Sequence, residues 1–360
     1  MAELLKNLFN EPFIDSLANQ IERGYAPFPS SRFKELVFAE PWESLELKQR
    51  MRRVTESLTA ALPQPYREAL DILHRSLGQG AGLGYMVYPD FVELNGLDDP
   101  ETSIPALAAF TPYSSSEFAV RPFIVRYPEL MLDTLKRWAT DPNEHVRRLA
   151  SEGCRPRLPW GMALQAFKAD PTPIIPILTL LKEDDSLYVR KSVANNLNDI
   201  SKDHPDIVME IAHKWVGRHP HTDWIIRHAC RTLIKKCDPQ ALCFFGLGAN
   251  ASIRVDDLRL QQAEAHIGQA VSGSVRLVNG NEEPTMLRIE LAVDFVKANG
   301  SLSRKLFKLS EKMFPPGMSE LTFKQSFRQL TTRKHYPGEH RLAIIVNGEQ
   351  LADVSLILKA

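Results

Sequence analysis

Three arginine-bearing triplets recur along the middle of this 360-residue chain: Val146-Arg147-Arg148, Val189-Arg190-Lys191 and Ile226-Arg227-His228. Each stands a few residues past an aspartate (Asp141, Asp185 and Asp223), at separations of 43 and 37 residues. Cations repeated at such an interval suit a long anionic ligand of the kind duplex DNA offers, because Arg147, Arg190 and Arg227 would be displayed in register. The competing reading is that they pair with acids of neighbouring repeats. A second feature is Arg155-Pro156-Arg157-Leu158-Pro159-Trp160, a proline-stiffened connection that carries two cations up to an indole. An exposed Trp160 would stack on a base or sugar, whereas a Trp sealing two hairpins would have the same local sequence. Trp224, ahead of Arg227, is a weaker candidate of this kind. Glu117 and Arg121, like Arg148 and Glu152, are spaced i to i+4, the spacing of a helix-surface ion pair worth about 0.2–0.5 kcal/mol.

Other chemistry falls away. Gly78, Gly80, Gly82 and Gly84 follow a helical pattern and lack a Lys-Ser or Lys-Thr, so they read as a loop rather than a phosphate cradle. His213, His219, His221 and His228 have no acidic or cysteine partner at ligand spacing, and neither metal nor cofactor is expected. Cys154, Cys230, Cys237 and Cys243 are too few for a disulfide framework and read as reduced.

The elements that must hold these residues fall into two kinds. A chain of this length is expected to split into at least two domains. Up to about residue 245, apolar residues recur at three and four: Val189, Val193, Leu197 and Ile200 form one stripe, and Leu130, Leu135 and Trp138 belong to another. Pro128, Pro142, Pro171, Pro205 and Pro239 punctuate the helices. Each arginine triplet is expected to open the second helix of a hairpin, and the period matches HEAT-type repeats, whose hairpins bury their apolar faces only by stacking. Val120-Arg121 reads as an earlier, degenerate copy.

Past Gly246-Leu247-Gly248 the period becomes two. Leu287, Ile289, Leu291, Val293 and Phe295 share a face, as do Leu342, Ile344 and Val346, then Val354, Leu356 and Leu358. Seven strands are expected, near 251, 268, 286, 302, 320, 340 and 351, with Asn347-Gly348 as a hairpin turn, which is the inventory of an immunoglobulin-like sandwich. Tyr336-Pro337-Gly338 is placed like a tyrosine corner, and a plain turn tyrosine would look the same. The expected fold is therefore mainly α, a HEAT-like solenoid over 1–245 followed by an all-β immunoglobulin-like sandwich over 246–360.

Lys plus Arg and Asp plus Glu both number 44, yet the charges are not evenly spread. Residues 1–116 carry 10 basic and 16 acidic side chains, residues 117–237 carry 19 and 15, and residues 238–360 carry 15 and 13. A mildly basic middle and rear permit an anionic partner without requiring one. In the sandwich, Arg333 and Lys334, with Lys305, Lys308 and Lys312 farther back, are its candidate contacts, and surface solubility explains the lysines as well. The apolar run Ile174–Leu181 is broken by Pro176, and Glu3, Lys6 and Glu11 stand where a leader would need apolar residues, so a cytoplasmic protein with no membrane partner is expected.

The run from Tyr188 to Val208, YVRKSVANNLNDISKDHPDIV, resembles the DNA alkylation repair glycosylases built from HEAT-like repeats. Leu5-Lys6-Asn7-Leu8-Phe9, the segment Arg147–Trp160 and the appended sandwich are more similar to the AlkC branch than to AlkD, which lacks the sandwich. Asn198-Asp199 departs from the Arg-acid pair of AlkD-type proteins, so catalytic detail is not carried over from them. The resemblance implies a monofunctional DNA glycosylase that excises cationic N3-alkylated bases, 3-methyladenine and 3-methylcytosine, from alkylated double-stranded DNA, leaving an abasic site. It implies an acidic cluster of Glu117, Glu152 and Asp199, on three different helices near the starts or ends of the repeats, one acid activating water and the others stabilising the sugar cation. With it go the readings from the residues themselves, Trp160 stacking at the lesion and DNA contacts by Arg147, Arg148, Arg155, Arg157, Arg190, Lys191, Arg227, Arg333 and Lys334. A base already positively charged is a good leaving group, so carboxylates near the deoxyribose suffice. A monomer without cofactor is expected. The alternative is a non-catalytic HEAT scaffold that binds DNA or protein.

Overall fold

The computed structural model describes residues 4–78, 80–248, 252–330 and 333–360; Glu3 therefore lies outside the described residues. The chain divides into two compact units, Met1–Ala229 and Cys230–Ala360. The division falls earlier than the 245/246 boundary expected from periodicity. The short helices Arg231–Lys235 and Pro239–Phe244 pack with the strands: a Cβ added to Gly348 would lie 2.9 Å from both Cys237 Cβ and Leu242 Cδ1.

The first unit is helical throughout. Proline does what its missing N–H allows, opening Pro128–Trp138, Pro205–Trp215 and Pro220–Ala229 at the first position. Val189, Val193, Leu197 and Ile200 of Leu187–Ile200 are buried as expected. The stripe of Pro128–Trp138 is different from the expected one: Met131, Thr134, Leu135 and Trp138 face the core, and Leu130 is exposed. The reason is spacing, since 131, 135 and 138 are four and three apart whereas Leu130 is five from Leu135.

Val146 and Val189 do sit near the start of Glu144–Glu152 and Leu187–Ile200, and Val120 opens Val120–Arg126. The third triplet does not repeat this. Ile226-Arg227-His228 lies at the end of Pro220–Ala229, where two basic residues favour the negative pole of the helix. Among the described residues no helix is long and apolar enough to cross a membrane.

The second unit carries eight strands among its described residues: β1 Ile253–Leu260, β2 Glu264–His266, β3 Ala270–Asn279, β4 Thr285–Val296, β5 Leu302–Phe314, β6 Gly317–Ser326, β7 Gly338–Val346 and β8 Glu349–Lys359. They form a sheet of order β1-β3-β6 and a second of order β2-β8-β7-β4-β5. The strand missed by alternation is β2, three residues long and parallel to β8. Inward residues of both sheets, including Val271, Val275, Leu277, Leu291, Val293, Ile344 and Leu356, make one core, as expected of an immunoglobulin-like sandwich. Asn347 (φ 47°) and Gly348 (φ 88°) form the β7–β8 turn with both residues left-handed, as a tight hairpin requires. No hydrogen bond to the Tyr336 hydroxyl occurs among the described residues; Tyr336 is a turn tyrosine with Lys334 Nζ 5.8 Å from its ring centroid.

Candidate active site

The three acids arrive from different parts of the helical unit. Glu117 stands in the turn before Val120–Arg126 rather than on a helix, and Ser116 pins that turn by donating from Oγ to Leu107 O at 2.6 Å. Glu152 is the last residue of Glu144–Glu152, and Asp199 the last but one of Leu187–Ile200. A carboxylate in the last helical turn meets the negative end of the macrodipole, which costs roughly 0.3–1 kcal/mol, so both acids need cations.

Those cations form a ladder. Arg148 donates from Nη1 to Glu117 Oε2 in a short contact and lies with Nη2 3.3 Å from Glu152 Oε1. Arg155 donates to Glu152 Oε1 at 2.6 Å from Nη1 and to Asp199 Oδ2 at 2.8 Å from Nε. Lys202 closes the row on Asp199 Oδ1 at 2.9 Å. Ser192 donates to Glu152 Oε2 at 2.6 Å and Ser115 to Glu117 Oε2 at 3.0 Å. Burial alone would lower the Arg148 and Arg155 guanidiniums, but the neighbouring acids, Glu152 foremost, outweigh it and hold both above their ordinary range. The row thus alternates three acids and three cations, with Glu152 and Asp199 buried. Both oxygens of Glu152 and of Asp199 are taken by these partners. Glu117 differs: its Oε1 has no hydrogen-bond partner among the described residues, and its side chain keeps 15% of its exposure.

The two i to i+4 pairs resolve differently. Arg148–Glu152 forms, buried inside the ladder instead of on a solvated face. Glu117–Arg121 does not. Arg121 is fully buried and donates to three carbonyls, Met162 at 2.7 Å, Arg155 at 2.8 Å and Gly153 at 2.9 Å. Burial pushes its guanidinium down to about 10. These bonds fasten both ends of the loop that runs from Gly153 to Met162, and with it Arg155 and Trp160.

Trp160 stands on that loop with φ 64° and 62% exposure. It is the outward indole of the two alternatives. A left-handed backbone at a bulky residue is disfavoured by about 1–2 kcal/mol. The loop is held in place by Arg121 and by Lys48, whose Nζ donates to Trp160 O at 2.9 Å and sits 4.7 Å over the Phe118 ring. Leu4, Leu5, Leu47 and Trp160 line a surface cavity of about 520 Å³.

The remaining cations are spread out. Arg147 pairs with Asp184 at 2.7 Å and donates to the carbonyls of Asp141 and Pro142, and Arg190 donates to those of Asp184 and Asp185 at 2.6 and 2.8 Å. Both guanidiniums thus turn back onto the loop before their own helix; Arg147 pairs with an acid as in the ion-pairing alternative, whereas Arg190 bonds only backbone carbonyls. Arg157 pairs with Asp203 at 3.0 Å, Lys191 is exposed, and Arg227 is half-buried. Trp224 is 37% exposed and stacks on His228 with ring centroids 5.2 Å apart. In the other unit, Arg333 lies over the rings of Phe295 and Phe307, and Lys334 is exposed. Ser115, Ser192, Lys202 and the Tyr188 ring, 5.1 Å from the Arg148 guanidinium, belong to the site without having been picked out from sequence, and Arg121, read there as a surface pair, belongs to it as a clamp. Lys202, three residues after Asp199, and Ser115, two before Glu117, had a local signal. Among the described residues no three His, Cys, Asp or Glu side chains are grouped to hold a metal ion.

Comparison with known proteins is consistent along the whole chain. Residues 113–233 match the family of the DNA alkylation repair enzyme, and residues 254–360 match the C-terminal Ig-like domain of uncharacterised protein YhaZ. The "Uncharacterized protein YhaZ" of Bacillus subtilis (strain 168) is 49% identical over 346 residues, 96% of either chain. The structure of Pseudomonas fluorescens alkylpurine DNA glycosylase AlkC, bound to DNA containing an abasic site analog, is 40% identical with a TM-score of 0.95, over 99% of this chain and all of that one. With a helical repeat unit, a sandwich and full-length relatives at these identities, the chain belongs to the DNA alkylation repair enzyme family, in its AlkC branch.

Proposed function

We propose that this protein is a monofunctional glycosylase that excises cationic N3-alkylated bases, 3-methyladenine and 3-methylcytosine, from duplex DNA, and that Glu117 activates the water. The observation that carries the reading is the difference among the three acids: Glu152 and Asp199 have both oxygens engaged, and Glu117 alone keeps one free. The DNA-bound relative, an alkylpurine DNA glycosylase, supports excision of alkylated bases from DNA. As the C1′–N bond breaks, its electron pair neutralises the base and positive charge moves to the sugar; two unit charges 4 Å apart near a protein surface interact by about 4 kcal/mol. Glu117 Oε1 accepts a proton from water as its oxygen bonds to C1′. Glu152 and Asp199 hold Arg148 and Arg155 in place and add negative potential. No lysine nucleophile takes part, so the strand is left uncut at the abasic site.

Trp160 stacks at the lesion, and its loop supplies Arg155 and Arg157. Lys191, Arg227, Arg333 and Lys334 contact phosphates. Arg147, Arg148 and Arg190 support the surface from behind. The protein acts as a monomer. The test is incubation with methylated duplex DNA and chromatography of the released bases: free 3-methyladenine is expected, and a folded protein that binds this DNA and releases nothing is a scaffold instead.

A further inference from the structure

Arg148 Nη1, Ser115 Oγ and Glu117 Oε2 close a triangle of hydrogen bonds. Arg148 Nη1 gives one hydrogen to Oε2 in a short contact and the other to Ser115 Oγ at 2.9 Å. Ser115 Oγ lies 3.0 Å from the same Oε2, and the backbone N–H of Glu117 reaches Oγ at 3.3 Å. A guanidinium and an amide can only donate, so both lone pairs of the hydroxyl are taken. Its one hydrogen goes to the carboxylate. The direction of this hydroxyl is therefore set by its neighbours rather than free to rotate.

The backbone aims it there. In the bond from Glu117 N to Ser115 Oγ, a side-chain oxygen stands in for a backbone carbonyl two residues before the donor, the geometry of a serine turn. The next serine has a separate task. Ser116 is fully buried, donates from N to Thr111 Oγ1 at 3.2 Å and from Oγ to Leu107 O at 2.6 Å, and so seats the turn on the end of the helix Pro100–Phe110. The turn is thus anchored through Ser116, and the Ser115 hydroxyl hydrogen is left for the acid alone.

A glutamate carboxyl turns easily about its last bond, and an arginine by itself can take both oxygens as a fork. Two donors on one oxygen, arriving from Arg148 and Ser115, prevent this. Oε1 then has no hydrogen-bond partner among the described residues.

We propose that Ser115 is a positioning residue for base excision: it holds Glu117 Oε2 beside Arg148 so that Oε1 is the oxygen that meets the attacking water. The inference deepens the reading of Glu117 as the group that activates water and rests on it. One O–H bond of the water breaks, its proton goes to Oε1, its oxygen bonds to C1′, and the C1′–N electron pair leaves with the base. Ser115 keeps its hydrogen throughout, because its bond to Oε2 is the same before and after Oε1 is protonated. It acts through Glu117 and touches no substrate atom.

The test is single-turnover excision from methylated duplex DNA at saturating enzyme, with affinity for abasic-site DNA and a thermal melt measured alongside. Ser115→Ala is expected to lose about ten- to a hundredfold in rate, with affinity and melting temperature near the wild type. Ser115→Thr, which keeps the hydroxyl, should recover most of the rate. In a Glu117→Gln background, followed over hours, Ser115→Ala should cost nothing further, since the two residues act as one unit. An active wild type with Ser115→Ala at the same rate overturns the positioning role and leaves the function standing. So does a loss by the same factor with and without the Glu117 carboxylate, or one confined to affinity or melting temperature. A wild type that releases no base overturns both. If Ser115→Ala fails to fold, Ser115→Cys, whose thiol is a weak donor, decides: a slow cysteine variant beside an active threonine one supports the role, and a cysteine variant at the wild-type rate overturns it.

Discussion

Arg121 donates from Nε to the carbonyl of Met162 at 2.7 Å, across 41 positions of sequence. Its other two bonds go to Gly153 and Arg155, so one buried guanidinium sets the path of the loop bearing Trp160. Arg121→Lys has too few donors and the wrong shape to replace the three bonds. It should lower stability by about 2–4 kcal/mol, with buried carbonyls left unsatisfied, and should slow excision more than tenfold. Thermal melts and Trp fluorescence check it; a lysine variant with the wild-type emission and rate would show that the clamp is dispensable.

Trp160 separates strain from contact. Trp160→Gly relieves the left-handed backbone and removes an indole that is mostly in solvent, so stability should rise or stay within about 1 kcal/mol of the wild type. Affinity for DNA containing a methylated base should fall in the same variant, read by fluorescence anisotropy. A glycine variant that binds as well as the wild type would remove Trp160 from the lesion contact.

The acids should divide by what they hold. Glu117→Gln leaves the Arg155 bonds intact and should lose base release at least a hundredfold with a melting temperature near the wild type. Asp199→Ala strands the Nε of a buried Arg155 and should cost about 3–5 kcal/mol of stability as well as activity. Equal melting temperatures for the two variants would contradict the ladder.

Arg190 was expected from its spacing to face phosphate. Its Nη1 bonds to the carbonyls of Asp184 and Asp185, so Arg190→Ala should lower the melting temperature and leave the salt dependence of DNA binding unchanged. A shallower salt slope would return Arg190 to the DNA surface.

The sandwich should weaken in acid. His335 and His340 are buried against Phe295 and Phe327, and burial lowers both; the Arg333 charge adds to the effect on His335, while the Gly338 carbonyl partly offsets it on His340. An unfolded imidazole takes up its proton near pH 6.5, and the two folded ones do so only at lower pH. In that window the unfolded state binds more protons, so stability falls as pH drops below about 6.5. His335→Phe should flatten the dependence of the melting temperature between pH 7.5 and 5.5, and an unchanged slope would mean that other groups set it.

Periodicity made both kinds of architecture legible in the sequence, because a helix or strand buries one face at a spacing set by its own backbone. The stripe from Val189 to Ile200 and the alternation of β4 and β7 came from that rule, while Leu130 misled it by a single position and β2 was too short to register. That Glu117, Glu152 and Asp199 belong together followed from resemblance, since nothing in their spacing along the chain links them. Only tertiary structure decided which partners they take. It turned Arg147 and Arg190 back onto their own loops and made Arg121 a clamp instead of a surface pair. The physical reason is that side-chain bonds between residues 30 to 45 positions apart depend on how helices stack, and every buried donor must find whichever acceptor that stacking leaves within reach.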